Sequence, residues 1–394
     1  WSIQSGDFSV CGMALYCAGF RIWRSPLCIY IKEDMCSKYN HLQEENKMSR
    51  VYNFSAGPST LPVPVLEKVA AQMLNYKDSG MSVMEMSHRS SSYLEIFNET
   101  KALLKKVLNI PDNYKILFIQ GGATFPLNLM KNGKADYIVT GAFSKKSAQE
   151  AKKFGDIHIA YNGADNGFKH IPTQEELDLR EDASYVHLCS NNTIFGTEWK
   201  YVPDTKGVPV VADMSSNILS KPINVADYGM IYAGAQKNMG IAGLGVVIVR
   251  EDLIKDHKEN IPVLMEYNTI ADNDSMYNTP PTFSIYVLGL MLEWIDSLGG
   301  LEVMQKRNEE KAKLLYDYHV HSDKDNRSFM NVTFTCPNKD LDAKFVKESI
   351  AAGMSNLKGH RSVGGIRASI YNAMPLDGVQ TLLDFMKKFE EENK

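Results

Sequence analysis

The chain predicts an α/β protein: a large lobe built on a mainly parallel sheet of seven strands flanked by helices, then a smaller C-terminal α/β lobe. Three observations predict this. Short apolar runs alternate with helical patterns through the body, two of those runs end in a single ionisable group each (Asp213 and Lys237), and the tail reads β-α-β-α. Strands separated by helices imply parallel pairing, because a parallel neighbour needs a long crossover, and the crossover helices cover both sheet faces.

In chain order, Val65 to Tyr76 carries helical spacing, and Tyr93 to Leu108 repeats it with charged faces. Lys115-Ile-Leu-Phe-Ile119 is a buried-type strand that runs into Gly121-Gly122. Asp136 to Thr140 is a second strand, followed by a polar helix from Lys145 to Phe154. Ile157 to Tyr161, Tyr185 to Cys189, Val208 to Ala212, Met230 to Ala235 and Gly245 to Val249 complete the apolar series. Ser284 to Gln305 is a long helical pattern broken by Gly299-Gly300, and Glu302 to Tyr318 continues as helix. The tail supplies Met330 to Phe334, Leu341 to Ala352, Ala368 to Tyr371 and Leu376 to Glu391 as alternating strands and helices.

The 394 residues are 44% hydrophobic with a formal charge of −4, which suits a globular protein of two or more lobes. Nearly balanced charge gives no reason to expect nucleic acid or a membrane surface as partner. No apolar stretch reaches the roughly eighteen residues of a membrane span. Cys11, Cys17, Cys28 and Cys36 crowd the start, leaving Cys189 and Cys336 for the rest, without C-x-x-C spacing. That argues against a disulfide framework and for a reducing cytoplasm. Residues 1–47 lack the basic segment and small-residue cleavage point of a secretory signal, and Met48-Ser-Arg-Val-Tyr-Asn-Phe reads as a natural start. Residues 1–47 are therefore expected to be a non-functional N-terminal extension.

Lys237 closes the run Ile231-Tyr-Ala-Gly-Ala-Gln-Lys-Asn-Met-Gly240, in a turn whose neighbours are mostly small. A partly desolvated amine has a lowered pKa and becomes a nucleophile toward aldehydes. Val208-Pro-Val-Val-Ala-Asp213 ends in a carboxylate, so an acid and an amine are expected at one sheet edge, where ligands of open α/β sheets bind. Pyridoxal 5′-phosphate needs both groups: a lysine for the Schiff base and an Asp beside its pyridinium nitrogen. A turn-capping Asp213 and a solvated Lys237 remain the plain alternative.

Gln120-Gly-Gly-Ala-Thr124 follows a strand and is expected to open a helix, where backbone N–H groups approach a phosphate. Many strand-to-helix turns look alike, so this signal is weak alone. His88-Arg89 lies in a polar turn, and Gly359-His-Arg-Ser-Val-Gly-Gly-Ile-Arg367 sets one histidine and two arginines among glycines. Arginine forks bind carboxylates and phosphates in bidentate fashion. Together these groups describe a site for a small substrate with two anionic groups, although each could be a solvated basic loop.

These residues match a known family. From Met48 onward the chain resembles the phosphoserine aminotransferases, in the class V branch of the type I pyridoxal-phosphate fold. The matching segments are Asn53-Phe-Ser-Ala-Gly-Pro58, Met86-Ser-His-Arg-Ser90, Ser190-Asn-Asn-Thr193, Val211-Ala-Asp-Met-Ser-Ser216, Gly234-Ala-Gln-Lys-Asn238, Tyr277-Asn-Thr-Pro-Pro-Thr282 and His360-Arg-Ser-Val-Gly-Gly-Ile-Arg-Ala-Ser369. The resemblance implies a large cofactor-binding domain at 65–305 and a small domain at 306–394, with 48–64 joining the small lobe. It implies that Lys237 carries the cofactor covalently and that Asp213 pairs with its ring nitrogen. Thr193 is then near the phenolic oxygen, and Ala123, Thr124 and Gln236 form the phosphate cradle. Asn278 and Thr279 reach that phosphate from a neighbouring subunit, so a homodimer with shared sites is implied. Arg367 is the α-carboxylate clamp, while His88, Arg89, His360 and Arg361 surround the substrate phosphate.

Three departures stand out. Phe143 occupies the position where the family carries a tryptophan stacked on the cofactor, offering less area and no indole N–H. Between Thr124 and Pro126 the chain is about five residues shorter than the family pattern, more than one helical turn. From Asp317 to Asn326 it is shorter by about a dozen residues, a change that surface loops tolerate. The implied reaction is ping-pong transamination: glutamate gives its amino group to 3-phosphohydroxypyruvate, yielding 2-oxoglutarate and O-phosphoserine. This is a step of serine biosynthesis; 4-phosphohydroxythreonine, in vitamin B6 synthesis, stays open as a second substrate. Two other readings are a cofactor-binding protein impaired by the shortened phosphate helix, and a class V sulfur-transfer enzyme. The second would need a mobile loop cysteine, and neither Cys189 nor Cys336 is placed for that.

Overall fold

The computed structural model describes residues 50–121, 129–255, 261–318 and 324–394. The extension 1–47, the candidate residues Ala123 and Thr124, and the shortening beside them lie outside these residues, as does part of the 317–326 stretch.

The first part of the chain forms β1 (Tyr52–Asn53), α1 (Val63–Ala71), α2 (Ser91–Val107), β2 (Tyr114–Gln120), β3 (Lys134–Val139), α3 (Ala142–Ala151) and β4 (Asp156–Asn162). The centre adds β5 (Val186–Cys189), β6 (Asn191–Asn192), β7 (Thr197–Glu198), β8 (Val210–Asp213), β9 (Met230–Gly234) and β10 (Leu244–Arg250). Helices α4 (Glu251–Lys255), α5 (Tyr267–Asp272), α6 (Thr282–Ser297) and α7 (Gly300–Tyr316) follow. The tail is β11 (Asn331–Phe334), α8 (Lys339–Ala351), β12 (Met354–Ser355), β13 (Ile366–Ser369) and α9 (Leu376–Glu392).

Seven strands make the main sheet in the order β2-β10-β9-β8-β5-β3-β4. Neighbours are parallel except β10, which runs antiparallel to both β2 and β9. The predicted mainly parallel seven-stranded sheet is therefore borne out. Both faces are buried: Ile231 and Ala233 of β9 enter one apolar cluster, and Met230 and Tyr232 enter the other. Each large apolar side chain buried this way contributes about 1.5–3 kcal/mol, which is why these strands read as continuous apolar runs. In register, Asp213 lies beside Cys189 on one side and Tyr232 on the other. The parallel strands consequently deliver Cys189, Asp213 and Gly234 to one edge.

A third apolar cluster gathers Phe54 with Val332, Phe334, Phe345, Ile366, Leu382 and their neighbours. There β11 pairs antiparallel with β13, and β1 pairs parallel with β12.

Local chemistry explains where the helices begin and end. Ser90 caps α2 by accepting from the Tyr93 N–H at 3.3 Å, and Asn338 caps α8 through Leu341 N–H at 2.9 Å. Gly299 and Gly300, with φ of 104° and 82°, separate α6 from α7 in a conformation that favours glycine. Two predicted helices differ from those observed. α1 stops at Ala71 rather than Tyr76, because Tyr76 sits in a turn, its N–H on the Met81 carbonyl at 3.0 Å and its ring edge-on to Tyr286 at 5.7 Å. α3 starts at Ala142 rather than Lys145, because Ser144 Oγ accepts from the Thr140 and Gly141 N–H groups at 3.1 and 3.0 Å.

Candidate active site

Lys237 follows β9 by three residues, and Gly234 at the end of that strand lies against the Gln236 side chain. A Cβ at Gly234 would lie 2.6 Å from Gln236 Oε1. The turn is held from the N-terminal side: Ser59 donates its hydroxyl to the Lys237 carbonyl at 2.5 Å, and its N–H to the Gln236 carbonyl at 2.9 Å. Half-buried Lys237 donates its amine to Thr193 Oγ1 at 2.9 Å and Ser216 Oγ at 2.7 Å, and those hydroxyls bond each other at 2.5 Å. Burial lowers the amine to about 8, with the Asp213 carboxylate opposing the shift and Arg367 reinforcing it. A substantial fraction is thus neutral near physiological pH, as a nucleophile or base requires.

Asp213 ends β8 and accepts the Ser215 N–H on Oδ1 at 2.9 Å. Cys189 donates weakly to Asp213 Oδ2 at 3.8 Å, and burial, then Asp213, pushes its thiol well above the usual range. The Phe143 ring, 48% exposed, faces the amine with its centroid 5.6 Å from Lys237 Nζ.

Arg367, on β13, carries a buried Nε with no partner among the described residues. An unpaired guanidinium N–H in such a place is costly unless an anion arrives to accept it. His360 donates to or accepts from Ser362 Oγ at 2.7 Å, and burial, then Arg367 and Arg361, lowers its pKa. The structure therefore sets Thr193 and Phe143 against the Lys237 amine, with Asp213 and Arg367 within its electrostatic reach, and His360 within reach of both Arg367 and Arg361. His88 is half-buried and Arg89 exposed, and no interaction among the described residues joins either to that group. Asn278 and Thr279 are exposed; the Thr279 carbonyl accepts from Gln120 Nε2, and neither side chain bonds to Lys237 or Asp213.

Ser216 is the residue sequence reasoning missed. It lies within the matching run Val211 to Ser216, but its role depends on β8 and β9 being adjacent, which brings its hydroxyl to the amine. Acceptance from the ammonium favours the charged form, so Ser216→Ala is expected to lower the Lys237 pKa. Capture of an aldehyde cofactor by the cofactor-free protein should rise with pH and level off above about 8. In Ser216→Ala that inflection is expected about half to one pH unit lower, the equivalent of one lost hydrogen bond. Stopped-flow capture rates across pH check this, and an unmoved inflection would remove Ser216 from the amine's environment.

An amine, a carboxylate, an aromatic face and an unpaired cation at one edge fit a pyridine aldehyde cofactor and an anionic substrate. The family model for class V aminotransferases matches residues 51–382. A phosphoserine aminotransferase of Lysinibacillus sphaericus is 49% identical over 359 residues, spanning 88% of this chain and 99% of the relative. The structure of the Bacillus circulans subsp. alkalophilus phosphoserine aminotransferase superposes with a TM-score of 0.85 at 45% identity, over 88% of this chain and 99% of that one. The pyridoxal-phosphate-bound phosphoserine aminotransferase of Trichomonas vaginalis gives a TM-score of 0.82 at 40% identity, over 86% and 100%. The chain belongs to the class V aminotransferase family, on its phosphoserine aminotransferase branch.

Proposed function

We propose that this protein transfers the amino group of glutamate to 3-phosphohydroxypyruvate, releasing 2-oxoglutarate and O-phosphoserine in serine biosynthesis, with pyridoxal 5′-phosphate as cofactor. The observation that carries this reading is Lys237, its amine held by Thr193 and Ser216 near Asp213 and lowered to about 8. When bound, the cofactor supplies an electron sink for the α-carbanion of the amino acid.

The chain's own groups do the rest. Lys237 is the covalent anchor, and its freed amine takes the α-proton from the amino acid; in the second half-reaction it returns a proton to the α-carbon of the oxo acid. Asp213 holds the proton on the ring nitrogen. Thr193 and Ser216 orient the amine, Phe143 covers one ring face, and Gln236, with Ala123 and Thr124, is assigned to the phosphate. Arg367 takes the α-carboxylate on its unpaired Nε. His88, Arg89, His360 and Arg361 take the distal anion, which is a carboxylate in glutamate and a phosphate in O-phosphoserine; arginine forks bind both groups.

Asn278 and Thr279 are assigned to the cofactor phosphate of a second copy, so the working form is a homodimer. Their exposure, with neither bonded to Lys237 or Asp213 of their own chain, supports this. The domain limits at 65–305 and 306–394, with 48–64 on the smaller lobe, and a cytoplasmic location belong to the same reading. Sulfur transfer is disfavoured by Cys189, whose buried thiol is shifted away from the thiolate.

The direct test is formation of O-phosphoserine from glutamate and 3-phosphohydroxypyruvate by the purified protein; an absent product with a bound cofactor would point to the impaired reading instead. Arg89→Ala and Arg361→Ala are each expected to weaken O-phosphoserine by about 2–3 kcal/mol relative to an amino acid without phosphate. Steady-state KM values for the two substrates check this, and equal losses would remove both arginines from the phosphate pocket.

A further inference from the structure

Lys311 lies on α7 with only 3% of its surface exposed, and no acid forms an ion pair with it among the described residues. Burial, then the neighbouring Arg307, lowers its pKa to about 7. Its Nζ donates to the backbone carbonyls of Ile370 at 3.0 Å, Tyr371 at 2.8 Å, Met374 at 3.1 Å and, more weakly, Asn372 at 3.5 Å. This ring of acceptors favours the charged form against that shift. All four belong to the segment directly after β13. Carbonyl oxygens converging on one charge are the donor set that replaces the hydration shell of a monovalent cation. The Tyr371 carbonyl also accepts the Met374 N–H at 2.9 Å, but without the Lys311 amine the converging carbonyls of Ile370 and Met374 would lose this donor, a cost for buried acceptors.

That segment also grips the site at three points. The Asn372 N–H donates to Asn238 Oδ1 at 3.0 Å, the residue after Lys237. The Asn372 side chain donates to the Leu219 carbonyl at 2.8 Å, in the stretch after Ser216. Tyr371 donates its hydroxyl to the Ala56 carbonyl at 3.0 Å, in the strap that carries Ser59. On its N-terminal side the same segment continues β13, which bears Arg367. Asn308, one turn before Lys311 on α7, adds bonds to the Ser220 carbonyl at 3.0 Å and to Asn372 Oδ1 at 2.9 Å.

We propose that Lys311 is a positioning residue, a built-in monovalent cation whose carbonyl cluster fixes segment 370–374 and so aligns Arg367 with the Lys237 turn. The proposal rests on the transaminase reading for its activity readout. Three holoenzyme variants are compared with the parent: Lys311→Met, which fills the space without charge, Lys311→Ala, which empties it, and Lys311→Gln, which keeps N–H donors without charge. In Lys311→Met and Lys311→Ala, kcat/KM for glutamate is expected to fall about tenfold to a hundredfold, with KM rising because Arg367 is displaced.

Ethylammonium, against sodium at equal ionic strength, should restore Lys311→Ala and leave Lys311→Met unchanged, because only the emptied site has room for a cation. A residue that merely stabilises the fold would show no such selectivity. Loss without selective rescue overturns the proposal, as does Lys311→Met within about twofold of the parent, a difference of under half a kcal/mol. Should the methionine and alanine variants fail to fold, Lys311→Gln decides by the same kcat/KM comparison. Hydrogen exchange across residues 366–374 needs no turnover: it should speed up in Lys311→Gln, and unchanged protection overturns the proposal. A parent that exchanges normally but does not transaminate would sink the functional reading and leave that result to stand on its own.

Discussion

Lys237→Ala is expected to leave a folded protein with no multiple turnover. The amine is both the anchor for the cofactor and the group that moves the α-proton, so no neighbour replaces both roles. Loss of proton transfer alone costs on the order of 10²–10⁴-fold, and loss of the anchor adds to it. The fold should survive because Thr193 Oγ1 and Ser216 Oγ already bond each other at 2.5 Å and keep a partner when the amine goes. The stability cost is then at most about 1–2 kcal/mol. Thermal unfolding and steady-state assays on the same preparation check both parts. Turnover within about tenfold of the parent, barely 1.4 kcal/mol in barrier, would contradict the assignment.

Arg367→Ala is expected to raise KM for glutamate and O-phosphoserine alike, by roughly 10- to 150-fold, the equivalent of one charge-assisted hydrogen bond of about 1.5–3 kcal/mol. Both substrates carry the α-carboxylate, so both should suffer equally, in contrast to the phosphate-selective effects of Arg89 and Arg361. Arg367→Lys should not restore binding, because a point charge lacks the planar fork. Selective loss of O-phosphoserine in Arg367→Ala would show that the two anion pockets are exchanged.

The sheet and its reactive edge were legible because their causes are local in sequence. Strands buried on both faces must be continuous apolar runs, and Asp213 and Lys237 interrupt that pattern where two of them end. The antiparallel direction of β10 was not read from its apolar run, because the run carries no direction; the cause is the short connection, since residues 235–243 are too few for the crossover a parallel strand needs. Two-residue pairings such as β1 with β12 left no trace, since alternation cannot be recognised over two positions. Tyr76 was misplaced in a helix because its apolar character serves a turn docked on Tyr286, and helical spacing does not distinguish the two.

Within the site, Ser216 was hidden for a different reason. Serine is common in turns, and what makes this one matter is its distance to an amine reached through the next strand. Lys311 was equally silent: on a charged helix it reads as a solvated lysine, and only the folded α7 turns it inward onto carbonyls. His88 and Arg89 illustrate the reverse, a pair conspicuous in sequence that no interaction among the described residues joins to His360, Arg361 or Arg367.

The central claim is that Lys237 binds an aldehyde cofactor and transfers an amino group through it. The most direct measurement is the absorption spectrum of the purified, cofactor-loaded protein before and after glutamate is added. A band at about 400–430 nm, lost on glutamate addition and absent from Lys237→Ala before it, is the predicted result. A loaded protein whose band ignores glutamate, or persists identically in Lys237→Ala, would contradict it.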